Sequence, residues 1–260
     1  MDYKINITHL YPDLMNLYGD LGNVVCLQKR LEWRNIEVNI NNVSIGDNLE
    51  KTPTDLFFFG GGQDNDQLKV FSDLIENKKD SLLTSLISGV PMLAICGGYQ
   101  LLGKYFLDGN NQKIAGIGIL GLETVAPGLE MHQRAVGNLV TELTPDSPIS
   151  NHYTKLKTLV GFENHSGRTR FINPDLKPLG KVLIGVGDNE DAKNDGILKD
   201  NIIGSYMHGS LLPKNPHLAD YLITQALIKK YPEFRSIPLD PLDDSIEVAA
   251  HQYILKAYNL

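Results

Sequence analysis

Two buried strands constrain the fold of this chain more than any other feature of its sequence. We predict them at residues 55–59, which lead into three consecutive glycines at 60–62, and at residues 91–95, which lead into Cys96. Runs that are apolar at nearly every position are typical of strands covered on both faces, as in parallel sheets flanked by helices. Functional residues in such sheets gather where the strands end, so both turns are candidate sites.

The sequence around these two strands alternates between strand and helix. Strands are also predicted at residues 4–10 and 37–43, and helices at 23–34, 66–76, 79–88 and 99–105. Beyond residue 116, β-rich runs at 117–125, 135–143, 159–163, 182–186 and 202–207 predict additional, partly antiparallel strands, followed by helices at 217–230 and 245–257. We predict an α/β fold: a parallel sheet flanked by helices, with additional antiparallel strands. Residues 1–260 are expected to form one domain, with a core at about 4–230 and a helical C-terminal arm at about 231–260.

Charge and composition argue against several classes of function. The 24 Lys and Arg residues against 31 Asp and Glu give a net charge of −7, so nucleic acid is an unfavourable partner. No apolar run approaches the roughly 18 residues of a membrane span, and the first residues do not resemble a signal peptide. The two cysteines, Cys26 and Cys96, lack the spacing of a metal site. We expect a cytoplasmic protein without a metal or a membrane-inserted segment.

Cys96 has the sequence surroundings of a nucleophile. It follows a buried strand and precedes Gly97, Gly98 and a predicted helix. A sharp strand-to-helix turn pushes such a side chain into the cleft and requires small neighbours. The helix N-terminus favours a thiolate, and the Gly97 amide is placed to bind an oxyanion. The alternative is an inert core cysteine, which the two glycines make less favourable.

A cysteine nucleophile needs a base, and His208 is the strongest candidate among seven histidines. It closes the β-rich run at 202–207 and precedes a turn. The remaining histidines that we assign are surface residues (His132, His152, His217) or partly buried packing residues (His9, His251).

Several motifs together resemble a known family. They are Cys96-Gly97-Gly98-Tyr99-Gln100, Tyr206-Met207-His208-Gly209 and residues 16–23, 58–64, 160–169 and 211–215. Taken in their order along the chain, these motifs resemble those of the class I (triad-type) glutamine amidotransferases. The branch is the one shared by cobyric acid synthases and the glutaminase subunits of bacterial lipid II isoglutaminyl synthases. The resemblance runs from about residue 5 to 225.

The resemblance implies roles for individual residues. Cys96 would attack the side-chain carbonyl of glutamine to form a thioester, and His208 would transfer the protons. Gly61 and Gly97 would supply the oxyanion amides, although glycines 60–62 also suit a plain turn. Arg134 would hold the α-carboxylate of glutamine, since a guanidinium can bind it through two hydrogen bonds; the alternative is a solvated surface arginine.

Two further features of the resemblance concern supporting residues. Glu163 and His165 match a loop motif of the family, and we expect them either to support the site or to form a turn. Many relatives carry a Glu two residues after the catalytic His, where this chain has Ser210. The orienting acid would then be Asp20 or a carboxylate of a partner subunit, or the enzyme would work as a dyad.

The resemblance also implies a partner. The chain would pass ammonia to a Mur ligase-like (MurT-type) synthetase that amidates the D-glutamate of lipid II to D-isoglutamine in peptidoglycan synthesis. This chain shows no ATP-binding motif, so ATP and Mg²⁺ are expected only in that partner. The alternatives are an amidotransferase for a corrinoid or other acid, or a catalytically dead module that binds a partner. A DJ-1-type hydrolase fits less well, because its histidine usually follows the cysteine closely.

Overall fold

The computed structural model describes residues 3–107, 112–126, 134–151 and 156–260. The strands are β1 (Lys4–Leu10), β2 (Glu37–Val43), β3 (Leu56–Phe59), β4 (Met92–Ile95), β5 (Tyr105–Leu107), β6 (Lys113–Ala115), β7 (Leu122–Val125), β8 (Ala135–Leu143), β9 (Thr158–His165), β10 (Arg168–Phe171), β11 (Pro178–Ile184), β12 (Asn194–Lys199) and β13 (Ile202–Ser205). The helices are α1 (Leu21–Glu32), α2 (Asp64–Asp73), α3 (Lys79–Ile87), α4 (Gly97–Leu102), α5 (Pro216–Lys230) and α6 (Ser245–Ala257). A π-helical turn, Leu74–Lys78, joins α2 to α3. No helix in these ranges has the length and apolar character needed to cross a bilayer.

The main sheet has nine strands in the order β2-β1-β3-β4-β13-β12-β11-β8-β9. The first five strands run parallel, and the remaining pairs are antiparallel. A second sheet has the order β10-β7-β5-β6. The predicted fold class, a parallel sheet flanked by helices with added antiparallel strands, is confirmed. Because β1, β3, β4 and β13 are neighbours with the same direction, the segments that follow them meet at one edge of the sheet.

Burial accounts for the central strands. Every residue of β3 and β4 is fully buried, as continuous apolar runs require when helices cover both faces of a sheet. A single apolar cluster connects the sheet to α1, α3 and α5. This packing fixes the strand ends, and so the site, on a rigid support.

The segment after Cys96 differs from the sequence prediction. A helix was expected at residues 99–105, but α4 ends at Leu102 and Tyr105 begins β5. Of the strand expected at residues 117–125, only Leu122–Val125 forms a strand, β7. The backbone amides before it donate hydrogen bonds outside the sheet, and the amide of Ile117 donates to the carbonyl of Leu101, at 2.9 Å. These amides satisfy the free carbonyls at the end of α4. Strands β5, β6 and β10 were not predicted because they have only three or four residues each. The six-residue strand β12 was not predicted either.

The C-terminal arm is anchored by buried ion pairs. Arg30 of α1 donates to both oxygens of Asp220 in α5, at 2.8 Å each, and it also pairs with Asp244 just before α6. Arg34 donates to Asp220 as well, at 2.8 Å. Buried charges are tolerated only when they are paired in this way. Helix α6 therefore packs on the domain, although Ile246 on its outer face is 80% exposed.

Candidate active site

Cys96 lies at a strained turn between β4 and α4. Its φ of +49° and ψ of −105° are unusual for a residue with a side chain, and such strain costs on the order of 1–3 kcal/mol. The turn is held because the Cys96 amide donates to the carbonyl of Ser205 in β13, at 2.8 Å. A side chain at position 98 would come within 2.6 Å of the carbonyl oxygen of Phe59, so glycine is required there. Strain held in place by neighbouring structure is common at functional sites.

His208 follows β13 and reaches the same edge of the sheet. Its main chain is fixed by two hydrogen bonds with Phe162 of β9, at 2.7 and 3.2 Å. Its Nδ1 lies 3.1 Å from both carboxylate oxygens of Asp20. Its Nε2 is buried and makes no hydrogen bond within the described residues. A methyl group added to Gly61 would touch both the His208 ring and Cβ of Cys96, so these two side chains are neighbours.

The surroundings of His208 favour its protonated form. Burial alone lowers the pKa of an imidazole, but the negative charges of Cys96 and Asp20 outweigh that effect and raise the pKa of His208 to about 10. Both His208 and Asp20 are completely buried. The three side chains therefore form a thiol, imidazole and carboxylate series, with each group next to the following one.

Ser210 contacts the loop that carries Asp20. Its hydroxyl donates to the carbonyl of Gly19, at 2.7 Å. A side chain at position 22 would come within 2.0 Å of the Ser210 hydroxyl, so Gly22 permits this close approach. Two residues later, the amide of Leu212 donates to the side chain of Asn23, at 2.9 Å. Ser210 therefore helps to hold the Asp20 loop in place.

The glycine turn after β3 corrects one expectation. The Gly61 amide, expected to bind an oxyanion, already donates to Asp20 Oδ2, at 2.8 Å. The amides of Gly62 and Gly97 make no hydrogen bond to any described residue. They lie close together, since the Gly62 nitrogen is 3.1 Å from the position that a Cβ on Gly97 would take. Among the described residues, the unpaired amides beside Cys96 are therefore those of Gly62 and Gly97.

A cavity of about 440 Å³ opens over these groups. Cys96, His208 and Arg134 line it. Arg134 is exposed, and its guanidinium donates to the carbonyl of Asn164, at 3.0 Å, and to the hydroxyl of Tyr18, at 3.4 Å. The cavity thus contains a cationic group that can bind a carboxylate, as well as the cysteine and histidine.

Glu163 and His165 form one wall of the site and its support. His165 lines the cavity, and its ring stacks on that of Tyr206, with the ring centroids 3.8 Å apart. Glu163 lies behind it, where the carboxylate accepts hydrogen bonds from the amides of Val186 and Gly187, at 2.8 and 2.9 Å. Burial lowers the pKa of His165 despite the neighbouring Glu163. Both residues therefore shape the cavity wall in addition to ending β9.

Two glutamines in the cavity were not singled out from the sequence. Gln100 donates to the Tyr206 hydroxyl, at 3.0 Å, and Gln67 donates to the carbonyl of Gly62, at 3.2 Å. Gln100 lies four residues after Cys96 at the start of a helix, so spacing alone could have indicated a shared face. No sequence pattern marks Gln67.

Three of the five histidines assigned to the surface or to packing lie in the part of the chain that the structure describes: His9, His217 and His251. His217, expected at the surface, is fully buried because it lies between Thr158 and His251 of α6: its Nε2 is 3.0 Å from the carbonyl oxygen of Thr158, and the two histidine ring centroids are 5.9 Å apart. His9 and His251 are buried. His132 and His152 lie outside the described residues. Within the described ranges, no three His, Cys, Asp or Glu side chains converge as metal ligands would.

Comparison with known proteins gives the family. Residues 6–216 match the model of the CobB/CobQ-like glutamine amidotransferase domain. The chain belongs to this family. This amidotransferase is 39% identical over 236 residues to the lipid II isoglutaminyl synthase (glutamine-hydrolyzing) subunit GatD of Streptococcus pneumoniae, covering 91% of this chain and 85% of that protein. The corresponding GatD of Staphylococcus aureus is 35% identical over 99% of this chain and 97% of its own length.

More distant relatives agree with this assignment. A probable cobyric acid synthase of Methanococcoides burtonii is 32% identical over 68% of this chain, which corresponds to 34% of that protein. The amidotransferase also resembles the solved structure of PurLQS from Thermotoga maritima, with a TM-score of 0.59, 16% identity and coverage of 88% of this chain and 99% of that chain. The structural match supports the fold, while the sequence matches confirm the predicted family and a glutamine amidotransferase activity.

Proposed function

We propose that the chain hydrolyses L-glutamine through a Cys96 thioester and delivers the ammonia to a separate synthetase that amidates lipid II. The observation that carries the glutaminase step is the convergence of a thiol, an imidazole and a carboxylate beside one cavity, which Cys96 and His208 line. A cysteine on a strained turn lies beside a histidine whose other nitrogen contacts a buried carboxylate. Two amides that are unpaired among the described residues lie at the same turn.

The reaction follows from these positions. His208 takes the thiol proton of Cys96, the Sγ attacks the side-chain carbonyl carbon of glutamine, and the amides of Gly97 and Gly62 stabilise the oxyanion. His208 gives a proton to the departing nitrogen, the C–N bond breaks, and ammonia leaves a γ-glutamyl thioester on Cys96. His208 then takes a proton from water, which attacks the thioester; the C–S bond breaks, and glutamate is released.

Asp20 and Arg134 have supporting roles in this mechanism. Asp20 accepts a hydrogen bond from His208 Nδ1, which directs Nε2 towards the cysteine and stabilises the imidazolium. Arg134 binds the α-carboxylate of glutamine and in doing so exchanges its contact with Asn164 for one with substrate. Asp20 makes a carboxylate from the partner unnecessary for orienting His208.

The acceptor is proposed from the relatives. The two GatD proteins are more similar to this chain than the cobyric acid synthase, at 39% and 35% identity against 32%, and the match covers most of their length. The partner would be a Mur ligase-like, MurT-type synthetase that binds ATP and Mg²⁺ and activates the D-glutamate of lipid II at the cytoplasmic face of the membrane. This chain itself would need no cofactor.

Ammonia release from L-glutamine tests the proposal. We expect release by the full chain, with or without the Mur ligase-like partner, and none from Cys96→Ala. Cys26→Ala is the matched control, because burial raises the pKa of the Cys26 thiol to about 12 and it lies outside the cavity. With the partner, ATP and Mg²⁺, label from amide-labelled glutamine should enter lipid II. No release under any of these conditions would favour a catalytically dead binding module.

A further inference from the structure

Gln67 has a buried hydrogen-bond acceptor that none of the described residues satisfies. The residue lies on α2, is 2% exposed and lines the same cavity as Cys96. Its side chain lies directly against the turn that carries Cys96: a Cβ on Gly97 would come within 2.8 Å of Gln67 Nε2. Its Oε1 has no hydrogen-bond partner among the described residues.

The orientation of this amide group is fixed by its neighbour. Gln67 Nε2 donates to the carbonyl oxygen of Gly62, at 3.2 Å. A carbonyl oxygen can only accept, so the NH₂ group must face Gly62 and the remaining atom must be the oxygen. Nearly all buried polar atoms in folded proteins have a partner. An unpaired acceptor on a side chain that lines a cavity beside a nucleophile therefore indicates a donor on the ligand.

We propose that Gln67 is a specificity-determining residue that accepts a hydrogen bond from the carboxamide NH₂ of glutamine. This inference rests on the proposed glutaminase function. Gln67 contacts Gly97 and Gly62, whose amides flank the reacting carbonyl, whereas Arg134 contacts Tyr18 and Asn164. The group that reaches Gln67 is thus the reacting carboxamide and not the α-carboxylate end of the substrate.

This contact explains discrimination between amide and acid. An amide substrate offers an N–H to Gln67 Oε1 until its C–N bond breaks. Glutamate has no such donor, and its side-chain carboxylate would place a negative oxygen against the Gln67 oxygen. A site built to hydrogen-bond one group rejects an analogue that lacks it, because its own polar atom is then left unpaired. Gln67 would therefore favour binding of glutamine over retention of glutamate.

A comparison of two substrates tests this role. L-glutamate γ-methyl ester forms the same thioester: Sγ bonds to the carbonyl carbon, the C–O bond to the methoxy group breaks, and His208 protonates the leaving methoxide to methanol. The ester has no N–H for Gln67. In the full chain with its partner synthetase, Gln67→Met should lower kcat/KM for glutamine about 5- to 10-fold, the loss of one hydrogen bond, and leave ester hydrolysis within about twofold.

The ratio of the two rates is the decisive quantity, since partial unfolding lowers both rates equally and cancels. Gln67→Ala, judged on the same ratio, is the second variant, and Gln252→Met on the exposed face of α6 is the matched control. An unchanged ratio in both Gln67 variants would overturn the role of Gln67 while leaving the glutaminase proposal intact. If the wild type hydrolysed neither substrate, the glutaminase proposal itself would fail.

Discussion

Asp20→Asn is the sharpest test of the proposed mechanism. One carboxylate oxygen of Asp20 accepts from the Gly61 amide, at 2.8 Å, and both oxygens lie 3.1 Å from His208 Nδ1. In the variant, the Gly61 amide would keep the Asn oxygen, so the Asn NH₂ group would face His208. The imidazole would then accept at Nδ1 and carry its proton on Nε2, where it cannot take a proton from Cys96.

The size of the effect follows from the bond that is lost. A hydrogen bond to a charged group contributes about 1.5–3 kcal/mol, and each 1.36 kcal/mol corresponds to about tenfold in rate. We therefore expect kcat/KM for glutamine to fall by at least about 10- to 150-fold, the cost of the bond alone, because the inverted tautomer also removes the base. The pKa of His208 should also fall, because one of the two negative charges that raise it is removed.

The assay is steady-state ammonia release, measured with and without the partner synthetase. Asp13→Asn is the matched control, because Asp13 is an exposed carboxylate of the same loop that contacts Ser44 and not His208. Wild-type kcat/KM in Asp20→Asn without the partner would refute the role of Asp20. Wild-type activity only in the complex would instead assign the orienting acid to the partner.

Three further predictions concern binding, stability and pH. Arg134→Ala should raise KM for glutamine about tenfold or more, with an unchanged circular dichroism spectrum, because a charged hydrogen bond to the α-carboxylate is lost; an unchanged KM would contradict that role. Arg30→Leu should lower the free energy of unfolding by about 3–5 kcal/mol in urea denaturation, since Asp244 would lose its buried partner and Asp220 would keep only Arg34; a urea midpoint equal to that of the wild type would count against this role. The raised pKa of His208 should stabilise the fold fully below pH about 6.5, and this contribution should decline as the pH rises towards about 10. The difference in unfolding free energy between wild type and His208→Gln should narrow over that range, and a constant difference would refute the assignment.

The local sequence was sufficient for the elements that carry the site. Strands β1 and β2 have the predicted bounds, and the two apolar strands end at the glycine turn and at Cys96 as expected. These elements are predictable because burial on both faces leaves an apolar run, and because a tight turn requires glycine. The short strands of the second sheet were not predictable, since three or four residues carry no reliable periodicity and are stabilised by their neighbours.

The sequence by itself determined the fold class, the family and the pairing of Cys96 with His208, because each depends on residue types in short, ordered motifs. Only the tertiary structure decided which carboxylate contacts His208, which glycine amides are unpaired among the described residues and which glutamines line the cavity. Those answers depend on contacts between segments far apart in sequence: Asp20 and His208 are 188 residues apart and meet because β1 and β13 end at the same edge of the sheet.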